Sequence, residues 1–327
     1  MRVVVASPAF AAIAQYLPRF LPEAEVVFAG QADLPHQVET AEVLIPSMAR
    51  IDEALLRRAR RVRLIHQWGA GLEGVDLEAA TRLGIPVANV PTAGTANAES
   101  VAEWCVMAAL VLARRLDEAR AVARSLSAWG HPPGLSLVGR VAGIVGLGGI
   151  GKALAPRLRA LGMRVQAVKR TPDPALAERL GLEWLGPMDV LDRLLATSDF
   201  VFLAVPVTAA TRGLIGRREL AMMGPGAFLV NPARGALVDE KALLEALEEG
   251  RLGGAALDVF TVEPPPSDHP LLRHPRVLAT PHVAGVTDAS YTDIARHVAA
   301  NVRRVLEGRL PVPCANPEVA HRGLAEG

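Results

Sequence analysis

Val141-Ala142-Gly143-Ile144-Val145-Gly146-Leu147-Gly148-Gly149-Ile150-Gly151 is a short apolar run that enters a glycine-rich turn, and the stretch Lys152 to Leu161 behind it favours a helix. Strand, turn and helix in that order predict a dinucleotide phosphate site. Gly146 permits a tight turn with backbone angles that other residues resist. Gly148 leaves no side chain between the main chain and a pyrophosphate, and Gly151 lets the helix pack close on the strand. Leu147, Gly149 and Ile150 complete the cradle. The anion would sit at the helix N-terminus, where unpaired N–H groups and the positive dipole end meet it. A GxGxxG turn alone is a weak signal, because glycine-rich βα turns also occur without ligands; its weight comes from lying between a strand and a helix.

On either side of this turn, strand-like runs alternate with helical ones. Arg2–Ala6, Glu25–Phe28, Val43–Ile45, Leu64–His66 and Val87–Asn89 precede it; Arg164–Lys169, Phe200–Val205, Ala227–Asn231, Ala255–Val259 and Val277–Ala279 follow. Such alternation predicts an α/β fold with parallel, doubly wound sheets. A helix over Ala9–Leu17 is expected after Pro8, and one long helix from about Ala98 to Leu126, with Asn97 as its N-cap. Trp129-Gly130-His131-Pro132-Pro133-Gly134 breaks that helix. Ser290 to Glu307 reads as the last helix, and the tail beyond Pro311 reads as poorly tied down. Pro156 should remove one backbone bond from the helix after Gly151 and kink it.

At 327 residues, half of them hydrophobic, the chain is long enough for two domains with substantial cores. No continuous apolar run looks long enough to span a bilayer. A net charge of +1 gives no electrostatic reason to expect nucleic acid or a membrane surface as partner. Cys105 and Cys314 are the only cysteines, without CxxC spacing. That implies a reducing compartment, with no disulfide framework and no structural metal. The N-terminal run Met1-Arg2-Val3-Val4-Val5-Ala6 faintly mimics a signal peptide, yet a first strand explains it better. The expected location is the cytoplasm.

An acidic residue about 20 positions beyond the glycines normally accepts the adenosine ribose hydroxyls. Lys169, Arg170 and Thr171 stand there instead, and the first carboxylate, Asp173, lies beyond Pro172. A carboxylate would repel a 2′-phosphate, whereas Lys169 and Arg170 would attract it. The pattern therefore favours NADP(H) over NAD(H). The alternative is that both cations are solvated surface charges and Asp173 turns back to the ribose.

Three later residues share one placement. Arg234 in Asn231-Pro232-Ala233-Arg234-Gly235, Glu263 after Leu257-Asp258-Val259-Phe260, and His282 in Thr280-Pro281-His282-Val283-Ala284-Gly285 each follow a strand. Ligands in parallel sheets bind at those carboxyl ends. Each residue alone is weak, since an Arg or a Glu before prolines is usually solvated and a lone His is often structural.

With these segments in view, the chain resembles the D-isomer-specific 2-hydroxyacid dehydrogenases over nearly its whole length. Gly71-Leu72-Glu73-Gly74-Val75-Asp76-Leu77, Asn97–Glu103, the glycine loop, Leu203–Thr211, Asn231–Gly235, Ala256–Glu263 and Thr280–Gly285 carry the resemblance. The basic pair after the second strand looks most like the glyoxylate/hydroxypyruvate reductases of that family. The resemblance implies a Rossmann cofactor domain, 98–286, inserted in a flavodoxin-like substrate domain made of 1–97 and 287–327, with a cleft that closes on a small 2-keto acid. It implies that Arg234 binds the substrate carboxylate, that His282 is the acid/base, and that Glu263 orients and charges His282. Backbone N–H groups of Ala70 and Gly71 would complete the carboxylate site. Asp258 would anchor the nicotinamide carboxamide, and Val205, Pro206 and Thr211 would border the cofactor. A homodimer is implied, its arm formed by the long helix and the segment near Trp129. Trp129 itself would reach the partner's site or, more in keeping with tryptophans generally, pack internally.

Glu263 argues against formate dehydrogenases, which resemble a pattern with Gln there. The early end of the chain after His282, and Ser47-Met48 where a phosphorylated substrate would want positive charge, argue against phosphoglycerate dehydrogenases, although Arg50 is near. Phosphite dehydrogenases remain a minor alternative. A rival from another class is an NAD(H)-sensing protein resembling the C-terminal-binding corepressors; no peptide-docking surface marks it. Substrate choice would rest on Ser47, Met48, Gln67, Trp68 and Leu72.

Overall fold

A computed structural model describes residues 1–319 as two compact units, one built from Met1–Asn97 with the chain from Thr287 onward, the other from Ala98–Val286. Positions 320–327 of the expected substrate domain lie outside the described residues.

The first unit holds five parallel strands: β1 (Arg2–Val5), β2 (Glu25–Phe28), β3 (Val43–Ile45), β4 (Leu64–His66) and β5 (Val87–Ala88). Their order is β2-β1-β3-β4-β5, the flavodoxin-like order. The valine run that mimics a signal peptide is thus a strand paired on both sides. Alternate strand residues feed two separate cores. Val3, Val5, Val43, Ile45 and Leu64 pack with Ile294, Val298 and Val302 of the helix Asp288–Leu306, while Val4, Leu44, Ile65 and Val87 pack with Leu56 and Ala79 on the other face. A sheet buried on both faces explains why its strands read as unbroken apolar runs.

The second unit holds seven parallel strands: β6 (Val141–Val145), β7 (Arg164–Val168), β8 (Trp184–Gly186), β9 (Phe200–Leu203), β10 (Phe228–Asn231), β11 (Gly254–Leu257) and β12 (Val277–Ala279). The order β12-β11-β10-β9-β6-β7-β8 reverses direction between β6 and β9. That is the switch point at which nucleotides bind in a Rossmann sheet. Here too the strands divide between two cores, with Ile144, Phe202 and Val230 on one face and Val145, Leu203 and Leu229 on the other. Both sheets are parallel and covered on both sides, the α/β architecture expected.

Several local expectations are corrected. The long helix is two helices, Ala96–Ala113 and Leu116–Ser125, because Arg115 takes a left-handed conformation at φ 49°. Asn97 is not the N-cap; the helix begins at Ala96, and the Asn97 amide accepts from the Ser290 hydroxyl. The helix at Ala9–Leu17 is broken into two 3-10 turns, Pro8–Phe10 and Leu17–Arg19, around a single α turn, Ile13–Tyr16. The helix Gly149–Ala160 runs through Pro156. Ala96–Ala113 is long and apolar enough to cross a membrane by length and composition, contrary to the sequence expectation, with half of it buried inside the fold. Cys105 lies on that buried side, where burial pushes its thiol pKa up.

Among the described residues the segment after Pro311 is anchored at Asn316. The Asn316 side chain accepts from Val87 N–H at 2.8 Å and donates to Thr81 Oγ1 and the Ile85 carbonyl, both at 3.0 Å. Its partners lie more than 200 positions away, so local composition could not reveal them.

Candidate active site

The three glycines of the first βα turn do different work. Gly146 sits at φ 102°, and a Cβ there would lie 2.5 Å from the Ala204 carbonyl oxygen. A Cβ at Gly151 would lie 2.1 Å from the Gly146 carbonyl oxygen. Both are demanded by the protein's own packing. A Cβ at Gly148 would meet nothing within 4 Å, so this glycine keeps open space rather than relieving a clash. Gly148 is also the N-cap of Gly149–Ala160 and supplies no side-chain cap. Open space at uncapped helical N–H groups fits a pyrophosphate. Beside it, Leu147 is buried and Ile150 packs on the core.

Lys169, Arg170 and Thr171 follow β7, the strand next to β6. Among the described residues neither Lys169 nor Arg170 makes an ion pair. Asp173 accepts from Ala175 N–H at 3.1 Å and caps the helix Pro174–Leu180. One oxygen of its carboxylate is thus engaged in the helix cap. Beyond β9, Val205 and Pro206 open a loop that the Thr211 hydroxyl closes, donating to the Pro206 carbonyl at 2.7 Å and accepting from Thr208 N–H at 2.8 Å.

The three candidate catalytic residues follow the neighbouring strands β10, β11 and β12. Buried Asn231 fixes the Arg234 backbone: its amide accepts from Ala233 N–H at 3.1 Å and donates to the Arg234 carbonyl at 2.8 Å. The Arg234 guanidinium donates to the Ala233 carbonyl at 2.7 Å. Gly235 follows because the next loop passes hard against it; a Cβ there would lie 1.9 Å from the Phe260 carbonyl carbon. Phe260 N–H in turn donates to Glu263 Oε1 at 2.8 Å, and His282 Nδ1 meets Glu263 Oε2 at 2.7 Å. A carboxylate only accepts, so this contact places the proton on Nδ1.

His282 is held at φ 56°, an uncommon backbone state for a residue with a Cβ. One residue stabilises it from both sides. The Asp258 carboxylate accepts from Thr280 Oγ1 at 2.5 Å, Val283 N–H at 2.8 Å and Ala284 N–H at 2.8 Å, and the Asp258 carbonyl accepts from His282 N–H at 2.8 Å. Burial raises the Asp258 pKa, with the Thr280 hydroxyl and the two backbone donors opposing that shift. Asp258, expected to serve the nicotinamide carboxamide, thus holds the histidine loop. The sequence signal for this was present, an Asp at a strand end where apolar residues are the rule, but its partners 22 to 26 residues away were not legible.

In the first unit, the loop after β4 has its carbonyls tied down. Those of Gly69, Ala70 and Gly71 accept from Val90 N–H at 2.8 Å, Asn89 Nδ2 at 2.6 Å and Gln67 Nε2 at 2.8 Å. The N–H groups of Ala70 and Gly71 make no hydrogen bond among the described residues. Two of the expected pocket residues have side chains engaged within the protein. The Gln67 side chain is spent within the loops, donating also to the Ser47 carbonyl at 3.0 Å and accepting from Trp68 N–H at 2.9 Å. Trp68 is buried edge-on against Tyr291, with ring centroids 5.6 Å apart. Ser47 takes φ 52° and Met48 is exposed beside it. Trp129 does not pack internally either; it is 78% exposed.

A family model described as D-isomer specific 2-hydroxyacid dehydrogenase, NAD binding domain, matches residues 106–284. A glyoxylate reductase of Thermococcus gammatolerans is 39% identical over 88% of this chain and 86% of its own length. A D-3-phosphoglycerate dehydrogenase of Methanocaldococcus jannaschii is 37% identical over 90% of this chain, which spans 55% of that protein's length. Among solved structures, the TT0316 protein from Thermus thermophilus matches with a TM-score of 0.83 and 38% identity, over 96% of this chain and all of that one. With the glycine cradle at the switch point and the Glu263–His282 pair after β11 and β12 of the same sheet, these likenesses show that the chain belongs to the D-isomer-specific 2-hydroxyacid dehydrogenases, a family that uses a nicotinamide cofactor.

Proposed function

We propose that this protein reduces a small 2-keto acid, with glyoxylate or hydroxypyruvate as the expected substrate, to the 2-hydroxy acid at the expense of NADPH. The observation that carries the reading is the 2.7 Å contact between His282 Nδ1 and Glu263 Oε2, set two strands from a loop that fixes Arg234. Bound nicotinamide would supply the hydride. Arg234 would bind the substrate carboxylate and polarise the keto oxygen, with the Ala70 and Gly71 N–H groups as further donors to that carboxylate. With Nδ1 bound to Glu263, His282 would deliver its proton from Nε2 to the oxygen as negative charge develops there, and would take it back in the reverse direction. Glu263, fixed by Phe260 N–H, would hold the ring in place.

Lys169 and Arg170, with Asp173 engaged in its helix cap, support NADPH over NADH. Leu126, Trp129 and Val138 are 72%, 78% and 73% exposed, and the helix Leu116–Ser125 buries none of its residues in this chain. An apolar surface of that kind supports a homodimer.

The test is loss of dihydronicotinamide absorbance with hydroxypyruvate and glyoxylate, run with NADPH and NADH in parallel. Faster turnover with NADPH is expected, and the double variant K169A/R170A should lower that preference about tenfold to a hundredfold. Turnover with NADH alone would overturn the cofactor assignment; tight NADH binding without turnover of any 2-keto acid would favour a sensor.

A further inference from the structure

The loop 67–71 is backed by a chain of buried groups with no part in the proposed chemistry. His66 ends β4 fully buried, on the face otherwise lined by Val298 and Val302. Its Nδ1 lies 3.0 Å from the Gln67 carbonyl, and its Nε2 lies 3.0 Å from Nδ2 of Asn301, itself buried on the helix Asp288–Leu306. An amide nitrogen only donates, so Nε2 accepts and Nδ1 carries the proton. The remaining Asn301 groups form a reciprocal pair with Val312: Oδ1 accepts from Val312 N–H at 2.8 Å and Nδ2 donates to the Val312 carbonyl at 3.1 Å. Beyond His66 the chain continues through Gln67 to the carbonyls of Gly71 and Ser47.

We propose that His66 and Asn301 are positioning residues, relaying the anchored C-terminal segment at Val312 to the loop whose Ala70 and Gly71 N–H groups receive the substrate carboxylate. The inference rests on the reading of that loop given above. The side-chain donors and acceptors of His66, Asn301 and Gln67 are all matched, which a neutral His66 allows and a charged one does not: a second ring proton would face the Asn301 amide hydrogens. The Gln67 backbone is thereby held at both ends, its carbonyl by His66 and its N–H by the Ala88 carbonyl at 2.8 Å.

The experiment compares H66L, H66N and N301A in the full chain, by steady-state kinetics with hydroxypyruvate and by amide exchange at Gln67, Trp68 and Val90. H66L and N301A should raise KM for the keto acid about tenfold with kcat changed less than twofold, leave the Kd for NADPH unaltered, and speed exchange at those three amides. H66N, which can still donate to the Gln67 carbonyl, should recover part of the KM. Unchanged exchange in folded variants overturns the relay whatever the activity. Faster exchange with unchanged KM overturns its link to the substrate, while turnover by the parent protein leaves the proposed reaction standing. A parallel fall in kcat and rise in Kd for NADPH would mark general loosening and also overturn it. If H66L fails to fold, N301A and H66N decide the matter by the same criteria.

Discussion

Two loops of this protein are held from behind in opposite ways. The loop 67–71 hangs on neutral groups, a fully buried imidazole and two amides, and presents bare backbone N–H groups. The loop 280–284 hangs on one buried carboxylate, Asp258, and presents a side chain, His282, from a left-handed backbone position. A neutral relay would suit donors proposed to meet a negative carboxylate, because it places no competing charge behind them. The Asp258 clamp fixes the backbone on both sides of His282, and so would hold the proposed acid/base in place. The difference teaches that a loop presenting backbone donors and a loop presenting a side chain are braced by different chemistry, one by neutral groups and the other by a carboxylate.

The sharpest way to break this contrast is to remove what the second loop presents. H282N should lower kcat by about a hundredfold to ten-thousandfold while the Kd for NADPH, read by fluorescence titration, stays within about twofold. Retention of most activity would refute the acid/base role. Next comes acid. Burial lowers His66 from 6.5 to about 4. The unfolded chain therefore binds the extra proton first, and stability present above pH 6.5 is lost as the pH falls towards 4, by about 3 kcal/mol in all. Asp258, raised by burial, works in the other direction, adding stability at low pH that is lost as the pH rises. Denaturant unfolding between pH 7 and 4 should thus show a loss that H66N largely removes. An unchanged pH slope in H66N would show that His66 is not its source. The smallest effect concerns the clamp: T280V, which deletes one of its three donors, should cost kcat about threefold to tenfold, and T280S should restore it. Equal activity in T280V would reduce the Thr280 contact to packing.

Most of the framework was legible in the chain. Runs such as Val43–Ile45 and Leu64–His66 are strands at the expected residues, because a parallel strand buried on both faces has little choice but to be largely apolar. The glycine cradle was legible because Gly146 and Gly151 answer local steric needs and Gly148 keeps open space. The Glu263–His282 contact came with the family resemblance rather than with any spacing. What stayed hidden was long-range and polar. Asn301 looks like one more residue of an amphipathic helix until its partners at 66 and 312 are known, and Gln67 and Trp68 look like pocket residues until their side chains are found committed elsewhere. Trp184–Gly186 was missed as a strand because it is short and holds an edge of its sheet.

Gly235 carries a last consequence, for how this protein can diversify. With the Phe260 carbonyl pressed into the space where a side chain would begin, the turns bearing Arg234 and Glu263 are interlocked, so neither can be lengthened or re-aimed alone. Libraries that randomise these turns will return mostly inactive clones unless position 235 is kept fixed. New substrate preferences should emerge instead from substitutions at exposed side chains such as Met48, which no such interlock pins.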